Sequence, residues 1–136
     1  MRAIEDVVNR GGVVGGNSAG AIIQGSFVVR GRSDKPVLMA RGHEAGFGFL
    51  RKVAINPHLT SAKREDELVS VIDQHPDLLG LGLEDTVGLV VQGTTAEVVG
   101  AGRVAVYDNM KHERLWYYWL PSGARFDLRL RRPVDR

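Results

Sequence analysis

The spacing of apolar positions divides the chain into a helix-and-strand first part and a strand-rich second part. Ile4, Val7 and Val8 fall on one helical face, and Gly11-Gly12 closes that helix. Val13-Val14 predicts a short buried strand running straight into Gly15-Gly16-Asn17-Ser18-Ala19-Gly20. The small apolar run from Ala19 to Gln24 predicts a buried helix, so the opening unit reads helix, strand, sharp turn, helix. Arg30 to Gly42 is polar and basic and reads as a loop. A strand is predicted from Lys52 to Ile55, ended by Asn56-Pro57-His58, because proline cannot continue a ladder. A helix is predicted from Lys63 to Gln74, with Leu68, Val69 and Ile72 inward, stopped by His75-Pro76. Leu79 to Leu83 is a buried strand whose apolar pattern breaks at Glu84-Asp85-Thr86. Beyond it, Val87–Gln92, Thr95–Val99, Arg103–Tyr107, Leu115–Trp119 and Phe126–Leu130 read as strands between Gly, Asn and Pro turns. No repeat, low-complexity tract or linker interrupts this order, so residues 1–136 read as one domain.

Composition narrows the function classes. Hydrophobic residues make up 43% and charged residues 25% of 136 positions, an ordinary globular balance with material for a core. The absence of cysteine excludes disulfides and thiolate metal sites. No two histidines have zinc-ligand spacing, and the serine chemistry considered below requires no metal and no organic cofactor. A net charge of +2 is no footprint of nucleic-acid binding. Arg125, Arg129, Arg131, Arg132 and Arg136 read more simply as a disordered basic tail. No apolar run approaches membrane-spanning length, and the N-terminus reads as an amphipathic helix start, not a signal peptide. A cytoplasmic location is the default expectation. The 17 glycines cluster among apolar residues, which points to tight turns inside a packed fold.

One of those clusters carries chemistry. Gly16-Asn17-Ser18-Ala19-Gly20 has the form G-x-S-x-G, with a β-branched pair before it and a small-residue helix after it. A serine on a sharp strand-to-helix turn has a strained backbone that only small neighbours let pass, and its hydroxyl projects from the sheet. The backbone N–H of Ala19 then aims at a developing oxyanion. The rival readings are a glycine-rich turn with a capping serine and a phosphate loop. The latter lacks a following Lys-Ser/Thr pair and a G-x-G-x-x-G. A nucleophilic serine needs a base, and of His43, His58, His75 and His112 only His58 directly follows a buried strand. The base in turn needs a carboxylate to orient it, and Asp85, Glu84 and Asp34 are all candidates.

These stretches together resemble the serine peptidases that include cyanophycinase and peptidase E. The likeness rests on Arg10 to Ala21, on Ile55-Asn56-Pro57-His58-Leu59-Thr60, and on Leu78 to Thr86 running into Val98-Val99-Gly100 and Val104 to Asp108. Their order over Arg2 to Asp108 is more specific than any single motif. The resemblance implies an α/β fold like that of class I glutamine amidotransferases: a partial three-layer sandwich with a mostly parallel sheet and a β-rich C-terminal part. It implies Ser18 as nucleophile, His58 as base and Asp85 as the third member, with Asp34 lying near where peptidase E has its own acid. It implies cleavage next to aspartate, as cyanophycinase releases β-aspartyl-arginine dipeptides and peptidase E releases N-terminal aspartate. Asn17, Asn56 and Arg64 are the substrate-binding candidates, and a peptide or dipeptide is the expected partner. Asn56-Pro57-His58-Leu59 is closer to peptidase E than to the Asp-Gln-His-Phe of cyanophycinase. Family members are longer, with their first sheet strands and a second oxyanion donor upstream of this chain's Met1. The chain is therefore expected to be the C-terminal catalytic half of a longer peptidase fold. The alternative is a non-catalytic homologue that uses an exposed sheet edge, or Trp116-Tyr117-Tyr118-Trp119, as an interaction surface. A homodimer is compatible with either reading.

Overall fold

A computed structural model describes residues 2–29 and 44–134. The elements run α1 (Arg2–Asn9), α2 (Ala19–Ile22), β1 (Val53–Asn56), α3 (Glu67–Gln74), β2 (Leu79–Leu83), β3 (Val87–Gln92), β4 (Thr95–Gly100), β5 (Val104–Tyr107), β6 (Tyr118–Leu120), β7 (Arg125–Asp127) and β8 (Arg132–Pro133). The strands form two four-stranded sheets, one ordered β1-β2-β5-β6 and the other β3-β4-β7-β8.

This corrects the expectation of a mostly parallel sheet. Among the named strands only β1 and β2 pair in parallel. The β2–β5 and β5–β6 pairings and all those of the second sheet are antiparallel. The physical reason lies in the connections. A parallel pair needs a crossover of a dozen or more residues, and among the described residues α3 supplies the one helical crossover between paired strands. Short links such as Gly93-Thr94 between β3 and β4 return the chain antiparallel.

Alternation along the first sheet sorts its side chains onto two faces. Val53 and Ile55 of β1, Leu79 and Leu81 of β2 and Val104 and Val106 of β5 share a core with Ala96, Val98 and Phe126 of the second sheet. Ala54, Ala105 and Tyr107 join instead the cluster of Leu68, Val71 and Ile72 from α3. The layers are thus helix, sheet, sheet. The sequence Leu-Gly-Leu-Gly-Leu of β2 follows from this. Its leucines enter the inter-sheet core, and its glycines let α3 and the next turn pack closely. A Cβ on Gly80 would meet Tyr107 Cβ at 2.9 Å, and one on Gly82 would meet Leu59 Cδ2 at 2.7 Å. Leu59 is fully buried and has no room to yield.

Further expectations are corrected. Val13-Val14 is not a buried strand: residues 12–17 have no regular structure, and Val13 is 91% exposed. No named strand pairs with this segment among the described residues, and an apolar pair without a ladder partner has no sheet to enter. The third helix starts at Glu67 instead of Lys63. Lys63 has φ 55°, which breaks a helix, because His58 to Arg64 is wound into turns around the site. The basic C-terminal segment is ordered over its described residues, and Arg136 lies outside them. Arg125 and Arg132 lie in β7 and β8, and an Arg131 Nη donates to the Asp77 carbonyl at 2.6 Å. Of the aromatic run, Tyr117 is buried and Trp116 exposed.

Candidate active site

Ser18 stands at the junction of the irregular segment and α2, with φ 51° and ψ −120°. Positive φ at a residue other than glycine is uncommon and marks a backbone held by its surroundings. Gly16 makes the turn sterically feasible, since a Cβ there would lie 2.5 Å from the Gly20 carbonyl oxygen. A Cβ on Gly20 would meet nothing within 4 Å, so the second glycine of the motif is not required by space. Ser18 occupies the N-cap position of α2 but makes no side-chain capping bond. Its Oγ lies instead 3.0 Å from His58 Nε2.

β1 delivers the histidine. Pro57 ends the strand, and His58 turns out with φ 56°. The turn is pinned on both sides: the Leu59 N–H donates to the Leu83 carbonyl of β2 at 3.0 Å, and the Ala62 N–H to the His58 carbonyl at 3.1 Å. His58 Nδ1 lies 2.7 Å from Asp85 Oδ1. An ionised carboxylate only accepts, so Nδ1 carries the proton, and the neutral ring is left with Nε2 as acceptor for the Ser18 hydroxyl. The His58 and Asp85 side chains are 45% and 46% exposed, so the pair is open to solvent and to a ligand.

The adjacent carboxylates have different surroundings. Hydrogen bonds from Ser61 and His58 hold the Asp85 carboxyl below its usual range. Glu84 turns away from the imidazole. One of its oxygens accepts from Arg103 N at 2.7 Å and Arg103 Nε at 3.1 Å, and the other from Thr60 Oγ1 at 2.9 Å and an Arg103 Nη at 3.2 Å. The bonds from Arg103, and that from Thr60, lower its carboxyl against the opposing effect of burial. Asp34, the third candidate acid, lies outside the described residues, as do His43 and the start of the polar loop at Arg30.

Asn17 is exposed beside Ser18. Asn56 is fully buried and donates from Nδ2 to Glu67 Oε1 at 3.0 Å, which shields it from any substrate. Arg64 directs an Nη onto the Pro57 carbonyl at 3.1 Å. Ala19 supplies the first N–H of α2, while the N–H groups of Gly20, Ala21 and Ile22 bond back to Asn17 and Ser18. Of the other histidines, His75 packs on Phe27 at 4.7 Å between ring centroids, and His112 bonds Asp108 at 2.9 Å. Sequence reasoning passed over Thr60, Ser61 and Arg103. The signal for the first two was a pair of hydroxyl residues two and three positions after His58, but Arg103 carried none. Among the described residues no group of His, Asp or Glu side chains converges as metal ligands do.

An elbow serine touching a histidine–aspartate pair at one rim of a sheet defines the class of site. The chain belongs to peptidase family S51, whose family model matches residues 1–99. It is similar to the cyanophycinase of Geminocystis herdmanii, 32% identical over 112 residues that cover 79% of this chain and 41% of that protein. To the cyanophycinase of Thermosynechococcus vestitus it is 33% identical over 99 residues, 71% of this chain and 31% of the relative. The cyanophycinase of Trichormus variabilis is 31% identical over 104 residues, with 73% and 35% covered. The chain thus spans less than half the length of these relatives. No helix of the described residues is long and apolar enough to cross a membrane.

Proposed function

We propose that this chain carries the catalytic centre of a serine-type peptidase that hydrolyses aspartyl or β-aspartyl peptide bonds through an acyl-enzyme. The observation that supports it most is the continuous hydrogen-bonded line from Ser18 Oγ through His58 to Asp85. His58 Nε2 takes the hydroxyl proton as Ser18 Oγ bonds to the scissile carbonyl carbon. The oxyanion that forms is met by the Ala19 N–H, and Asp85 stays ionised and stabilises the imidazolium. His58 then hands the proton to the leaving amine, the C–N bond breaks, and an ester to Ser18 remains. Water, deprotonated by the same imidazole, releases the acid product. Asn17 is the substrate-facing side chain in this reading. The aspartyl preference rests on membership of family S51 and on likeness to cyanophycinases.

The test is fluorophosphonate labelling of the protein beside Ser18→Ala and His58→Ala. Labelling of the native chain and loss in both variants is the expected result; labelling indifferent to both substitutions ends the proposal. Hydrolysis of β-aspartyl-arginine against N-terminal aspartyl dipeptides then decides the substrate.

A second reading draws on Val13, 91% exposed in a segment that pairs with no named strand among the described residues. In it the segment before Ser18 pairs with another polypeptide, and the chain acts as a binding module. Absent labelling together with a stable complex with a second chain is its signature.

A further inference from the structure

Glu84 is bound by Thr60 and Arg103, and none of these bonds goes to Ser18 or His58. Its side chain is 15% exposed, and both oxygens are engaged. One set of bonds runs to the backbone and guanidinium of Arg103, just before β5. The remaining bond runs to Thr60, two residues after His58 on the turn that carries the imidazole. Arg103 is itself held, its Cζ lying 3.8 Å from the centroid of the Trp119 ring. Glu84 therefore joins the histidine-bearing turn, the aspartate-bearing turn and the neighbouring strand at one carboxylate.

We propose that Glu84 is a positioning residue, which sets the spacing between His58 and Asp85 by clamping Thr60 and Arg103 and, being fully occupied, leaves the imidazole to Asp85. This rests on the reading of Ser18, His58 and Asp85 as the reacting line. Neutralising Glu84 removes one partner of a charge-assisted cluster and leaves the Arg103 guanidinium without its carboxylate. The turns it joins then separate by a fraction of an ångström to an ångström, a displacement that costs catalysis about 100-fold when it falls at reacting groups.

The experiment compares the native chain with Glu84→Gln, Arg103→Met, Arg103→Lys and Asp85→Asn. Two readouts are taken on protein shown to be folded by its cooperative melting. One is the downfield NMR resonance of the His58 Nδ1 proton, which reports the bond to Asp85 without requiring turnover. The other is the second-order rate of fluorophosphonate labelling. Glu84→Gln and Arg103→Met are expected to broaden or lose the resonance and to slow labelling about 10-fold to 100-fold, with Arg103→Lys recovering part of both. An unchanged resonance and rate in folded Glu84→Gln overturns the proposal. So does loss of labelling in Glu84→Gln with its retention in Asp85→Asn, which makes Glu84 the acid itself. If Glu84→Gln does not fold, Arg103→Met decides by the same criteria. If the native chain does not label, the hydrolase reading fails, and the resonance alone still decides whether Glu84 holds His58 to Asp85.

Discussion

The two arms that meet at the site are built differently. His58 and Asp85 stand on the ends of β1 and β2, adjacent parallel strands whose side chains are buried on both faces. Their turns are cross-tied through Leu59, Thr60 and Glu84. Ser18 arrives on an irregular segment that runs from the mostly exposed α1 through an almost fully exposed Val13. His58 and Asp85 are thus preorganised by packing, and Ser18 by a local turn and by α2, whose Ala21 and Ile22 are buried. A site divided in this way should lose function from either arm but lose stability mainly from one.

The largest effect is expected from Asp85→Asn. The amide carries a donor where the carboxylate accepted, so it favours the wrong imidazole tautomer, and labelling of Ser18 should fall about 10,000-fold. Its melting temperature should fall only slightly, because the His58–Asp85 pair is half-exposed and solvent screens what the lowered carboxyl contributes. Leu59→Ala sharpens the contrast from the other side. It empties a buried position between Gly82 and α3 and should cost about 2–5 kcal/mol in denaturant unfolding. Gly16→Ala tests the serine arm: a Cβ placed 2.5 Å from the Gly20 carbonyl must shift the elbow. Labelling should drop about 100-fold with a small change in stability, whereas Gly20→Ala, with open space around it, should be tolerated. Equal effects of the two glycine substitutions would refute the assignment of the turn to Gly16.

Acid should act on the rim that carries His58, Glu84 and Asp85. Glu84 and Asp85 both have carboxyls lowered by hydrogen bonds, to Arg103 and to Ser61 and His58 respectively. A group whose folded value is depressed contributes stability above its unfolded value and loses it as pH falls through the folded one. Melting temperatures should therefore hold above the ordinary glutamate value of 4.5 and decline below it, and Glu84→Gln should flatten that decline. The smallest effect is predicted for Val13→Lys, within about 0.5 kcal/mol of native stability, because the side chain already faces water. A larger loss would show that the segment is covered in solution.

The elbow was legible in the chain because its causes are local: a glycine that lets the backbone pass, a serine, and a helix of small residues within five positions. His58 was legible because proline ends a run of buried residues just before it. The strand at Leu79–Leu83 and the hairpin strands after Val87 followed from apolar alternation and turn residues. Sheet direction was not legible, since alternation is the same in parallel and antiparallel strands, and the lengths of the connections decide between them.

Periodicity, glycine placement and turn chemistry reach only as far as neighbouring residues, and they sufficed for the turn at Ser18, for the place of His58 just past β1 and for most strands. Which of two consecutive carboxylates faces the imidazole is decided across the sheet. Asn56 pairs with Gly82 in the β1–β2 register, which brings His58 beside Glu84 and Asp85, and Arg103, arriving just before the antiparallel β5, draws Glu84 aside. That outcome depends on a guanidinium separated from Glu84 by 19 positions along the chain, a partner that only folding brings within hydrogen-bonding distance.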